Sequence, residues 1–155
     1  MILYLDASAL VKWYVDEPGS TEVGEAISQA ELVGTVLISR AEIAAALAKA
    51  VRLRALSQEE AVACLQTFRS EWFDLVRLQM TEALVARADT LAWEQSLRGY
   101  DAVHLAAAIL WQEALGKTVT LATFDRQLWT AAEQTGLVPY PRNLPVLLEE
   151  QKGQR

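Results

Sequence analysis

The sequence of 155 residues is poor in the two residue types that most often carry metal or redox chemistry. It contains one cysteine, Cys64, and one histidine, His104. A single cysteine excludes a disulfide within the chain and is compatible with a reducing compartment. Neither a cysteine set nor a histidine set is available to bind zinc. Oxygen-bearing side chains are therefore the remaining candidates for a chemical site.

Long apolar runs are also missing. The longest, residues 102–111, contains His104 and is much shorter than the roughly 20 apolar residues that cross a bilayer. The apolar opening meets Asp6 before it could form the core of a secretory signal, and no cationic segment precedes it. We therefore expect a soluble, cytoplasmic protein that makes no contact with a membrane.

An excess of positive charge is absent as well. Fourteen Lys and Arg residues stand against twenty Asp and Glu residues, for a net charge of −6, which by itself argues against a nucleic-acid partner. A site that binds divalent cations would produce the same excess of acids, and its cation would reverse the local field. Composition therefore predicts one globular domain, residues 1–148, with a polar tail at 149–155, and leaves the partner open.

Short apolar segments alternate with longer helical patterns along the chain. Little polar alternation within the segments indicates strands buried on both faces, and strand–helix alternation predicts a parallel-sheet α/β/α sandwich. Ligands of such sheets bind beyond the carboxyl ends of the strands. The predicted strands are 2–5, 35–38, 73–78, 118–122 and an edge strand at 137–140; the predicted helices are 7–15, 21–30, 40–54, 57–70, 81–97, 101–115 and 125–134.

Four acids fall at the starts of predicted helices, and three of them follow strands directly or closely. They are Asp6, Glu42, Asp101 and Asp125. Taken singly, each has a structural explanation: the three aspartates suit helix N-caps, and Ser39 with Glu42 has the form of a capping box. Caps need not gather at one edge of one sheet, however, so the joint pattern favours a shared site.

Carboxylates that lie close together repel one another unless a cation neutralises them. An all-oxygen set suits Mg²⁺ or Mn²⁺. A cation held in this way can acidify a bound water and stabilise the charge that develops on a phosphate. Since no Ser–His or Cys–His nucleophile accompanies the acids, the pattern points towards phosphodiester hydrolysis.

Five segments, in order, resemble the PIN-domain ribonucleases, and in particular the VapC toxins of toxin–antitoxin pairs. The segments are residues 2–12 (ILYLDASALVK), 16–20 (DEPGS), 39–47 (SRAEIAAAL), 97–106 (LRGYDAVHLA) and 121–128 (LATFDRQL). The resemblance implies a PIN-like fold, a Mg²⁺- or Mn²⁺-dependent endoribonuclease, a VapB-type antitoxin as partner and a homodimer. It also implies that Asp6 and Asp101 are direct metal ligands, and that Glu42 and Asp125 complete the site.

Further residues follow from the same comparison with the family and from their nearness to the acids in sequence. Ser8 and Thr123 match small hydroxyl positions that support the acids. Lys12, Arg98 and Arg126 are candidates for contact with the RNA phosphates, with a solvated surface charge as the alternative for each.

Several alternatives stay open. A structural role is favoured for His104, and a core or subunit-interface role for the five tryptophans. A haloacid-dehalogenase-like phosphatase would need a second acid where Ser8 stands. A PIN-like interaction module without activity is the non-enzymatic alternative.

Overall fold

The computed structural model describes residues 1–154. Five parallel strands form one sheet in the order β3-β2-β1-β4-β5. The strands are β1 (Ile2–Leu5), β2 (Leu32–Val36), β3 (Val76–Leu78), β4 (Val119–Ala122) and β5 (Val138–Tyr140). Within residues 1–154, eight α-helices connect the strands or follow them: α1 (Ala7–Tyr14), α2 (Ser20–Gln29), α3 (Ser39–Arg52), α4 (Gln58–Glu71), α5 (Glu82–Gln95), α6 (Gly99–Leu115), α7 (Arg126–Gln134) and α8 (Leu144–Gly153).

The central strand β1 explains why helices cover both faces of the sheet. Its successive side chains point to opposite faces, and all four are buried. Ile2 and Tyr4 belong to a core shared with α5, α6 and α7, while Leu3 and Leu5 belong to a second core shared with helices α1 to α4. The predicted α/β/α sandwich is therefore confirmed.

The strand boundaries next to β1 differ from the prediction. The second strand was expected at 35–38, but β2 begins at Leu32 and pairs with Ile2 of β1, and Ile38 already has helical backbone angles. The first half of β2 was not predicted because it contains Gly34, and glycine is a weak strand former. A Cβ there would lie 2.8 Å from the ring of Trp111, so the close packing of α6 on β2 requires glycine. The third strand is also shorter than 73–78, because Trp72–Asp74 forms a 3-10 turn.

Two further segments differ from the prediction. The break expected at 98–100 is narrower: Ser96 ends α5 in a left-handed conformation, and α6 begins at Gly99 instead of residue 101. Helix α8 crosses position 149, where the polar tail was predicted to begin; Arg155 lies outside the described residues. No helix within residues 1–154 is long and apolar enough to cross a membrane.

Candidate functional site

Asp6 lies at the carboxyl edge of the sheet, where β1 and β4 end together. Leu5 pairs with Ala122 in the register of these strands, so the next residues, Asp6 and Thr123, lie side by side. Thr123 Oγ1 donates a hydrogen bond to Asp6 Oδ2 over 2.5 Å, and Ser8 Oγ donates to Oδ1 over 2.7 Å. Both predicted supporting hydroxyls therefore contact the first acid.

Asp6 is at the same time the N-cap of α1. The Ala9 backbone N–H donates to its Oδ1 over 2.9 Å, as the structural explanation predicted, and the side chain is buried. Burial raises the pKa of Asp6, and the opposing influence of His104, Thr123, Ser8 and the Ala9 amide does not cancel that effect. The fold thus holds a carboxylate in a place where its charge is costly unless a cation is near.

Glu42 lies in the first turn of α3, but it does not cap that helix. The N-cap of α3 is Ile38, which has no side-chain capping bond, and the hydroxyl of Ser39 is within 2.6 Å of the Thr35 hydroxyl. Glu42 Oε1 is instead 2.7 Å from His104 Nε2. The capping-box alternative is therefore wrong: Glu42 pairs with His104 and not with the Ser39 amide.

Asp101 and Asp125 share one arginine. Arg98 immediately precedes α6; its Nε donates to Asp101 Oδ2 over 3.0 Å, and one terminal nitrogen donates to Asp125 Oδ2 over 2.9 Å. Asp125 also caps α7 through the Leu128 amide, whereas Asp101 lies inside the first turn of α6 and caps nothing. Burial, and then the charge of Asp125, raises the pKa of Asp101. Two like charges therefore face each other across a single cation.

The four acids open onto one cavity of about 300 Å³. Its lining consists of the four acids, the histidine and arginine that pair with them, two residues at the start of α1 and one residue of the loop after β4: Asp6, Glu42, Asp101, Asp125, His104, Arg98, Ala7, Ser8 and Phe124. Neither Lys12 nor Arg126 is part of that lining. The tertiary structure thus gathers all four predicted acids and one of the three predicted cations.

No three His, Cys, Asp or Glu side chains within residues 1–154 lie close enough together to hold one metal ion in this arrangement. The hydrogen bonds give the reason. The hydroxyls hold Asp6, the histidine holds Glu42, and Arg98 holds Asp101 and Asp125. The chemistry of the donor set still fits Mg²⁺ or Mn²⁺, because all four are carboxylates on one cavity. The Arg98 side chain is 73 % exposed and can leave without disturbing the core.

The other predicted cations have different surroundings. Lys12 pairs with Glu17 over 2.9 Å and lies 4.6 Å above the centre of the Phe124 ring, while its side chain is only 13 % exposed. Arg126 is exposed at the start of α7 and borders a separate cavity with Gln95 and Ser96. Lys12 therefore packs against Phe124, which lines the acid cavity, without lining the cavity itself.

Two residues of the site were not singled out from the sequence. Phe124 lines the acid cavity, and the Tyr4 hydroxyl lies 2.8 Å from His104 Nδ1. A signal for Tyr4 existed, because a tyrosine in a strand buried on both faces needs a partner for its hydroxyl. That the partner is the single histidine depends on the packing of α6 over β1.

The tryptophans divide between core and surface. Trp72 and Trp111 are buried, and Trp129 is partly buried and donates to the Pro141 carbonyl. Trp13 and Trp93 are 46 % and 89 % exposed, and neither lines the acid cavity. The core expectation is confirmed for the buried pair, and an interface role for the exposed pair stays a prediction.

Comparison with known proteins agrees with the fold. The PIN domain family model matches residues 3–133. Ribonuclease VapC45 of Mycobacterium tuberculosis is 31 % identical over 144 residues, which are 92 % of this chain and 97 % of that protein. Ribonuclease VapC3 of Pyrobaculum aerophilum is 33 % identical over 128 residues, 83 % of this chain and 92 % of that protein.

A solved structure with the same fold is a toxin–antitoxin complex from Klebsiella pneumoniae. It superposes with a TM-score of 0.58 at 18 % identity and covers 81 % of this chain and 87 % of that one. With the family match and the two relatives, these findings place the chain in the PIN domain family, among its VapC-type members.

Proposed function

We propose that this chain is a divalent-metal-dependent endoribonuclease that acts as the toxin of a toxin–antitoxin pair. The observation that carries the proposal is the gathering of Asp6, Glu42, Asp101 and Asp125 on one cavity at the carboxyl edge of the sheet. Relatives that bear the name ribonuclease support RNA as the substrate. Hydrolysis would add water across one P–O bond of the backbone, leaving a phosphate on one fragment and a hydroxyl on the other.

The residues divide this work by their surroundings. Asp6 and Asp101 would hold Mg²⁺ or Mn²⁺, and Glu42 and Asp125 would complete the set directly or through water. When bound, such a cation supplies an acidified water and stabilises the charge on the phosphate. Arg98, once released from the aspartates, would contact a phosphate oxygen through its forked guanidinium. Ser8 and Thr123 keep the Asp6 carboxylate in place by hydrogen bonding.

The test of the activity is cleavage of RNA by the purified chain in Mg²⁺ and in EDTA. Asp6→Asn keeps the size of the side chain and removes its charge; we expect cleavage to fall to background while the circular dichroism spectrum stays unchanged. Asp74→Asn is the matched control, because Asp74 is exposed before β3, at the opposite edge of the sheet. Wild-type cleavage rates in the Asp6→Asn protein would contradict the assignment, and a folded wild-type chain that never cuts RNA would favour an inactive interaction module.

The partners can be tested separately from the chemistry. The Klebsiella structure is a toxin–antitoxin complex, which supports a VapB-type antitoxin for this chain, and we also propose that the chain forms a homodimer in the cytoplasm. Expression in a bacterium should arrest growth unless the product of the adjacent open reading frame is supplied, and Asp6→Asn should remove the arrest. Light scattering after size-exclusion chromatography gives the mass of the chain alone. Normal growth at high expression would count against the toxin role, and a monomeric mass against the homodimer.

A further inference from the structure

The acid cavity has a buried wall that the proposed chemistry does not itself use. Tyr4 lies in the middle of the central strand β1 and is fully buried, and His104, in the second turn of α6, is 1 % exposed. The Tyr4 hydroxyl is 2.8 Å from His104 Nδ1, and His104 Nε2 is 2.7 Å from Glu42 Oε1. Two hydrogen bonds in series therefore connect the sheet, α6 and the first turn of α3.

The protons in this series can be assigned from what each group is able to do. A carboxylate only accepts, so the contact with Glu42 requires the proton on His104 Nε2. A neutral imidazole with its proton on Nε2 accepts at Nδ1, and the Tyr4 hydroxyl supplies that donor. Burial, followed by the charges of Asp6 and Glu42, raises the pKa of Tyr4 well above its usual value, so the phenol keeps its proton. Tyr4 thereby selects the tautomer that Glu42 needs.

Within residues 1–154, no hydrogen bond or ion pair other than the one to His104 holds the Glu42 side chain. It does not cap α3, and its side chain, which lines the cavity, is 25 % exposed. A glutamate side chain has three rotatable bonds, and holding it in one conformation has an entropic cost that a strong partner must offset. Of the four acids, Glu42 alone is held by a histidine, through a bond to one of its two oxygens.

We propose that Tyr4 and His104 are positioning residues: together they orient the Glu42 carboxylate in the acid cavity and so raise the affinity of the site for a divalent cation. This inference rests on the proposed function, since it concerns the same site. Groups that orient metal ligands from behind typically change metal affinity about 10- to 100-fold when they are removed.

The first experiment measures Mn²⁺ binding by calorimetry for the wild type and Tyr4→Phe, which deletes only the hydroxyl. We expect Tyr4→Phe to bind Mn²⁺ about tenfold more weakly. Tyr14→Phe is the matched control: its hydroxyl donates to the Glu71 carboxylate over 2.8 Å, away from the cavity, so its loss should leave the affinity unchanged. In a Glu42→Gln background, Tyr4→Phe should have no further effect, because the carboxylate through which it acts is gone.

A second pair of variants separates orientation from simple packing. His104→Gln can still donate to Glu42 and accept from Tyr4, whereas His104→Leu fills the buried space without any hydrogen bond. If His104 orients Glu42, His104→Gln should bind Mn²⁺ more tightly than His104→Leu. If His104 only fills space, His104→Leu should bind Mn²⁺ at least as tightly as His104→Gln.

A third measurement needs no metal. Because the chain has one histidine, a long-range ¹H–¹⁵N spectrum of protein made without a histidine tag reports the His104 tautomer directly. The wild type should show the Nε2–H form, and Tyr4→Phe should show a mixture.

The outcomes distinguish the two proposals. Unchanged Mn²⁺ affinity and tautomer in Tyr4→Phe, with an active wild type, would overturn the positioning role alone. A wild type that neither binds Mn²⁺ nor cuts RNA would overturn the proposed function and this role with it.

Discussion

The acid cavity has two halves, one with Asp6 and Glu42 and one with Asp101 and Asp125, and their hydrogen-bond partners differ in burial. On one side, buried partners hold Asp6 and Glu42: two hydroxyls, a backbone amide and His104. On the other, the exposed Arg98 holds Asp101 and Asp125 together. The first pair is held by the core of the protein. In the second pair Asp125 also caps α7, but the two acids are joined by an exposed side chain that can move away. Under the proposed function, this difference predicts that Asp6 and Glu42 are already oriented before a cation binds, whereas Asp101 and Asp125 must first exchange Arg98 for it.

The buried half should be the more sensitive to loss of a single hydrogen bond. Thr123→Val keeps the shape of the side chain but removes a hydroxyl that donates to Asp6 and accepts from the Asp125 amide. Leaving buried polar groups without partners costs about 1–3 kcal/mol, so the free energy of unfolding should fall by that amount in urea denaturation.

Its control is the same substitution on the surface. The Thr67 hydroxyl donates to the Ala63 carbonyl on the exposed face of α4, and Thr67→Val should change stability by less than about 0.5 kcal/mol. Equal losses for the two variants would remove the contrast between a core-held half and the rest of the molecule.

The exposed half should respond in metal affinity instead of stability. Arg98→Gln removes the guanidinium that pairs with Asp101 and Asp125 and would otherwise have to be displaced by a cation. We expect Mn²⁺ to bind several-fold more tightly and the melting temperature of the metal-free protein to change little, since exposed ion pairs contribute little to stability.

Arg126→Gln controls for charge alone, because Arg126 adjoins Asp125 in sequence but lies outside the acid cavity. If the two arginine variants gained the same affinity, long-range charge would explain the effect, and direct competition by Arg98 would be wrong.

The smallest expected effect is a dependence of stability on pH. The pKa of Asp101 is raised in the folded chain, so the folded state holds that proton more tightly than the unfolded state does. The resulting stability is present at acid pH and is lost as pH rises from the ordinary value of 3.8 through the raised pKa. Asp101→Asn has no proton to lose. In EDTA, its melting temperature relative to the wild type should therefore increase with pH, and parallel melting curves would contradict the prediction.

The sequence alone predicted the layers of the fold and the places of the acids, because both follow from local patterns. Apolar segments between amphipathic ones imply a buried parallel sheet, and acids at the starts of helices lie at its carboxyl edge. It did not predict the full extent of β2, since Gly34 is readable as part of a strand only once Trp111 is known to pack against it. The helical segment α8 was not predicted either.

Only the tertiary structure decided which side chain is the hydrogen-bond partner of each acid. The capping box of Ser39 and Glu42 is a sound local pattern, yet His104, 62 positions further along the chain, takes the carboxylate. Arg98 joins Asp125 across 27 positions. Thr123 was expected to support the acids, but the structure shows which one it contacts, Asp6, across 117 positions. Hydrogen bonds between residues so far apart depend on strand register and helix packing, which local propensities do not contain. The four acids could thus be named from the sequence, while the contrast between their buried and exposed partners could not.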